Sequence, residues 1–147
     1  MKVLGDGPDR EKLEALAVQL NAPVDFLGYT AYELMAAYLR ASDITVNSLV
    51  KSAAQSIVTK IGDYLASGNP MINTGSSPEF RAKVTADGFG VNVEAEDAQA
   101  LADAIAKLAG HASLRKIMGS KARAVAEKEF DQPRAYREIV DLLRTLL

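Results

Sequence analysis

Short apolar runs alternate along this chain with helical patterns of about a dozen residues, and that alternation limits the fold more than any other feature. Residues 1–4, 24–27, 44–46, 70–73 and 90–93 read as strands. Between them, residues 10–20 place Leu13, Leu16, Ala17 and Leu20 on one face, and residues 32–40 do the same with Leu34, Met35, Tyr38 and Leu39, so both segments read as amphipathic helices. Further helices are expected at 78–85, opened by Ser77 with Glu79 in its first turn, at 98–108, at 113–129, and from 133 to the C-terminus. Parallel neighbours require crossover connections, and helices are the usual ones.

The fold class that follows is α/β: a Rossmann-like parallel sheet with helices on both faces, in a single domain of 147 residues, long enough to bury a core without staples. In open sheets of this kind ligands bind beyond the carboxyl ends of the strands. Four loops stand there, at 5–8, 28–30, 47–59 and 74–77, and they are expected to converge on one edge.

Composition removes several function classes. The 17 Lys and Arg nearly balance the 19 Asp and Glu, and the basic residues are not interleaved with aromatics, so no nucleic-acid partner is expected. Without cysteine, and with His111 the single histidine, thiolate or histidine metal sites and a His-dependent nucleophile are poor readings, and no metal is expected. No apolar run approaches the ~18 residues of a membrane span. The expected location is cytoplasmic, with peripheral attachment at the inner face of a membrane compatible with it.

Two stretches carry candidate chemistry. Gly5-Asp6-Gly7-Pro8 can cradle a phosphate at a helix start, but Arg10 occupies the third glycine position of a G-x-G-x-x-G fingerprint, and the spacing favours a plain strand-to-helix turn with Asp6 as a local cap. The second is KSAAQSIVTKIGDYLASGNP at 51–70. At ~100° per residue, Ile57, Val58, Ile61, Tyr64 and Leu65 share one arc while Lys60, Asp63 and Ser67 oppose them. On one reading Lys60 and Asp63 form an exposed ion pair. On the other, Ser56 to Thr59 offer backbone N–H groups to a phosphate, Lys60 adds a charge, Asp63 accepts from a vicinal diol such as a ribose, and Gln55 reaches the far side of the ligand. Spacing alone leaves both open.

Taken in order, "VLGDGPDREKLEALA", "VDFLGYTAYELMAAYLRASDITVNSL", "DYLASGNPMINT", "SSPEF", "GFGVNV" and "EDAQALADAIAKL" resemble the C-terminal, donor-binding domain of family 4 (group 1) retaining glycosyltransferases of the GT-B fold, over nearly the whole chain. The resemblance implies binding of a nucleoside diphosphate sugar, UDP-linked, for retaining transfer to a glycan or lipid-linked acceptor. It implies no cofactor and no bound metal, diphosphate charge being offset by helix N-termini and basic side chains. The donor-binding positions it implies are Gln55, Ser56, Ile57, Val58, Thr59, Lys60 and Asp63, with Gly5 in the loop after the first strand and Gly28 and Tyr29 beside the base. The catalytic machinery is not assigned.

The family's signature of two glutamates eight positions apart falls on Gln55 and Asp63, so both depart from it, and Ser56-Ile57-Val58 replace the glycines of the intervening turn. Such a variant resembles bacterial surface-polysaccharide transferases, which suggests capsule or O-antigen assembly. The resemblance also implies that Met1 stands at a strand usually preceded by another strand-helix unit and an acceptor domain. A fragment is therefore expected that folds without transferring sugar alone. Its last helix, with Ile139, Leu142, Leu143 and Leu146 on one side, is expected to leave an apolar patch that supports weak homodimerisation. A non-catalytic nucleotide-binding or interaction module of the same fold is the alternative, and an NAD-dependent oxidoreductase is disfavoured by the missing glycine.

Overall fold

The computed structural model describes residues 1–53 and 59–146. The chain divides into two compact units, Met1–Tyr38 and Leu39–Leu147. In the first, strand β1 (Lys2–Leu4) pairs in parallel with β2 (Asp25–Gly28) across helix α1 (Arg10–Gln19), and helix α2 (Tyr32–Ala41) follows. In the second, β3 (Thr45–Asn47), β4 (Met71–Asn73) and β5 (Gly90–Asn92) form a three-stranded parallel sheet in that order, connected by α3 (Ile61–Ala66) and α4 (Pro78–Asp87) and followed by α5 (Ala98–Gly110), α6 (Ala112–Glu129) and α7 (Gln132–Leu146). Every strand pair is parallel, and the strands hydrogen-bond as two sheets, β1-β2 and β3-β4-β5.

Alternation along β4 explains why helices cover both faces of the larger sheet. Met71 packs with Ile61 and Leu65 of α3, Phe80 and Val84 of α4, and Ala122, Val125 and Ala126 of α6. Its neighbour Ile72 points the other way, into Val93, Ala104 and Leu108, with Leu114 and Met118 packed alongside. The rings of Phe80 and Phe89, 6.3 Å apart and tilted, close the first core.

Local chemistry sets the helix starts. Ser77 accepts from the Phe80 N–H at the head of α4 and donates to Glu79, and Glu79's carboxyl is held below its ordinary range first by its own backbone N–H and then by Ser77. Asp97 accepts from the Ala100 N–H and opens α5. His111, with Nδ1 2.6 Å from the Lys107 carbonyl, joins α5 to α6 as a loop residue. Helix α7 buries none of its residues, and Ile139, Leu142, Leu143 and Leu146 are exposed.

One close approach positions α3. A Cβ on Gly119, inside α6, would lie 2.1 Å from the backbone oxygen of Gly68, so only glycine lets α6 reach the turn that ends α3. Arg123, one turn along, donates to the Ala66 carbonyl at 2.8 Å and satisfies the C-terminal end of α3.

Gly119→Ala is expected to destabilise by about 1–3 kcal/mol, because the clash with backbone outweighs alanine's helix preference of roughly 1 kcal/mol. Gly110→Ala, where an added Cβ meets nothing within 4 Å, should be neutral or stabilising. Urea denaturation of both variants checks this, with equal midpoints contradicting the packing argument.

Candidate functional site

Because β3, β4 and β5 are parallel and in register, Asn47, Asn73 and Asn92 stand side by side at their carboxyl ends. Asn47 Nδ2 donates to Asn73 Oδ1 at 2.9 Å, and Asn73 Nδ2 donates to Asn92 Oδ1 at 3.0 Å. Asn92 Nδ2 then donates to the Arg81 carbonyl at 2.8 Å and to Thr85 Oγ1 at 3.1 Å. The direction of this chain is fixed from outside it: the Gly75 N–H requires Asn73 Oδ1 as acceptor, and the Arg81 carbonyl requires a donor. Asn47 Oδ1 is consequently the acceptor end, buried and without a partner among the described residues.

The loops leaving this edge are tied to one another. The Thr74 hydroxyl accepts from the Leu49 N–H at 2.7 Å and lies 2.8 Å from the Leu49 carbonyl, extending the β3-β4 ladder by a side chain. Arg81 reaches from α4 to the Val93 carbonyl at 3.0 Å and to the Glu94 carboxylate at 2.6 Å. The Lys51 N–H donates to Glu96 Oε1 at 3.2 Å, connecting the loop after β3 with the turn after β5.

The segment at 51–70 continues from this edge. Gln55, Ser56, Ile57 and Val58 lie outside the described residues. Thr59 and Lys60 occupy the turn before α3, which begins at Ile61, so neither is inside the helix. The described part of the apolar arc behaves as its spacing requires: Ile61 and Leu65 are fully buried and Tyr64 packs against the same core. Asp63 sits in the first turn of α3 on the half-buried polar side. Ser67 donates to the Tyr64 carbonyl at 2.6 Å and serves the helix end.

Lys60 is half-buried, with Nζ 5.8 Å from the centre of the Tyr64 ring. Burial pushes its pKa below the ordinary 10.5, and no ion pair to Lys60 is seen among the described residues. The Tyr64 hydroxyl is pushed the other way, first by burial and then by the charge of Asp63, and stays protonated at neutral pH.

In the first unit Gly5 and Gly28 meet: the Gly5 N–H donates to the Gly28 carbonyl at 2.7 Å. The Gly7 N–H donates to Asp6 Oδ1 at 2.9 Å, so both glycine amides of this turn are engaged within the chain. Gly28 has φ +69, and a Cβ there would fall 2.8 Å from Arg10 Nη1. Arg10, paired with Glu14, stands at the third fingerprint position, where glycine would allow close helix–strand packing. Tyr29 projects outward, 90% exposed.

The asparagine ladder, Thr74 and Glu96 escape a motif-based reading. A signal was nevertheless present, because TVN, MIN and GVN each end a strand on asparagine, a residue depleted from strands. Among the described residues no cluster of three or more His, Cys, Asp or Glu forms a metal-holding group, and no helix is long and apolar enough to cross a membrane.

Comparison with known proteins is consistent across sequence and structure. An uncharacterized glycosyltransferase of Methanocaldococcus jannaschii is 28% identical over 148 residues, covering 99% of this chain and 36% of that protein. Sucrose-phosphate synthase from Thermosynechococcus elongatus superposes with a TM-score of 0.81 at 23% identity, covering 99% of this chain and 38% of that one. HepE of Anabaena, solved in complex with UDP, superposes with a TM-score of 0.82 at 19% identity over 98% of this chain and 40% of its own. The same Anabaena protein has been solved with UDP-glucose. The chain thus spans less than half the length of these relatives, and its fold is that of a GT-B half. A family model described as "Glycosyl transferases group 1" matches residues 1–111, and the chain belongs to that family.

Proposed function

We propose that this chain binds the donor of a nucleotide-sugar transferase, holding a UDP-linked sugar for retaining transfer to a glycan or lipid-linked acceptor in polysaccharide assembly. The observation that carries the reading is Lys60, a lysine kept half-buried beyond the carboxyl edge of a parallel sheet, where burial alone lowers its pKa. A cation held at that cost to its own hydration is suited to an anionic ligand. Asp63, one turn further along, supplies the carboxylate for a ribose diol. The UDP and UDP-glucose complexes of the Anabaena relative support this choice of nucleotide.

On this reading the chain's part in the reaction is electrostatic. As the bond from sugar to diphosphate lengthens, negative charge grows on the leaving phosphate, and Lys60 with the N–H groups at 56–59 meets it there. Tyr64 stays neutral and keeps its ring beside the ammonium. A chain spanning about two fifths of its relatives is expected to bind the donor without turnover, and acceptor-dependent transfer by these 147 residues alone would contradict that.

Titration with UDP and with uridine tests the assignment. Lys60→Ala should weaken UDP binding by roughly tenfold or more, the loss of a charge-assisted contact, and leave uridine unchanged. Asp63→Asn should weaken both ligands. Equal UDP affinity in Lys60→Ala and wild type would exclude Lys60 from the diphosphate site. Indifference of the wild type to every nucleotide would favour the interaction module.

A pH series gives a second test. Only protonated Lys60 attracts the diphosphate, so affinity is full below its pKa and falls as pH rises through it. Because burial depresses that pKa, the decline should begin below 10.5. Lys60→Arg, charged throughout this range, should lack the part of the decline that belongs to Lys60 and keep only the part caused by ionisation of the uracil N3–H, which both proteins share. A wild-type profile that falls no earlier than the arginine variant's would refute the mechanism.

A further inference from the structure

The geometry points to Glu96 as a positioning residue for donor binding, a role that rests on the donor-site reading above. Glu96 has φ +66, a left-handed backbone that costs a non-glycine residue roughly 1–2 kcal/mol. It stands between Ala95, buried, and Asp97, which caps α5. Those two neighbours fix the turn, and glycine would satisfy it with less strain. What glutamate adds is a carboxylate, and Glu96 Oε1 accepts from the Lys51 N–H across 45 residues of sequence at 3.2 Å.

The receiving loop gives this contact its meaning. Residues 48–53 leave β3 and lead toward Thr59 and Lys60. Near its start the loop is held by Thr74, whose hydroxyl bridges Leu49 N–H and carbonyl. Further along, the Ala53 N–H closes a turn onto the Val50 carbonyl at 3.0 Å, and Glu96 fastens the middle of that turn at Lys51. Two anchors from two strand ends thereby set where the chain departs for the diphosphate-facing residues. Backbone strain concentrates where a site is preorganised, and here the strained residue touches that loop.

Glu96→Gly and Glu96→Gln separate this role from a structural one. Glycine relieves the strain and removes the acceptor, so thermal stability should hold or rise while UDP affinity falls about threefold to tenfold. Exchange of the Lys51 amide should quicken in that variant. Glutamine keeps an acceptor and should hold UDP affinity within about twofold and Lys51 exchange near wild type.

Stability and affinity falling together in both variants would indicate a structural residue and overturn the assignment. So would unchanged Lys51 exchange, or faster exchange with UDP affinity intact, in Glu96→Gly. A wild type that does not bind UDP would overturn the donor-site reading and this assignment with it, an outcome distinct from the other three.

Discussion

Three in-register asparagines hold the carboxyl edge from which the loops after β3, β4 and β5 depart. The apolar cores on the two faces tell the strands which way to turn their side chains, but the amides at 47, 73 and 92 make the alignment of the strand ends specific. Slipping β4 by a residue would break both amide contacts, one buried and one partly buried, and a buried polar group left unpaired costs about 1–3 kcal/mol. The ladder also continues into α4 through the Arg81 carbonyl, and the Arg81 guanidinium returns to Val93 and Glu94. Strand ends and loops therefore form one hydrogen-bonded body.

Opposite that body, α6 acts as the support for α3. Six residues make a helix too short to stand alone. Ile61 and Leu65 anchor it from below, Gly119 admits the turn at Gly68, and Arg123 closes the Ala66 carbonyl. Lys60 precedes the first residue of this supported helix, so its position is inherited from that packing. The packing that places it also strips water from it, which is why its pKa falls.

Much of the fold was legible in the sequence because it depends on local periods and caps. The strand and helix pattern, the Ser77 and Asp97 starts, and the buried arc of Ile61, Tyr64 and Leu65 all follow from spacing. The helix start after Lys60 was not legible, because no capping side chain marks it. Nor was the close approach of Gly119, since a glycine inside a helix reads as a weakness until the partner backbone is seen. Arg10 was noted as a missing glycine, yet its packing against Gly28 depends on which strand lies next to β1. The asparagine ladder falls between these cases: visible as a repeated strand ending, but meaningful only once the three strands are adjacent.

The acceptor of Asn47, without a partner among the described residues, and the partly desolvated ammonium of Lys60 belong to one argument about cost. Each is a polar group placed where burial is unfavourable, and each lies in β3 or on the connection that leaves it. The Asn47 amide also serves the register of the strands, but the charge at Lys60 is not explained by stability, since an apolar residue there would pack against Tyr64 with no charge to desolvate. A strained Glu96 joins them on the same edge. Local rules of good folding are broken here three times among the described residues and kept through the two cores, which is the distribution the donor-site proposal requires.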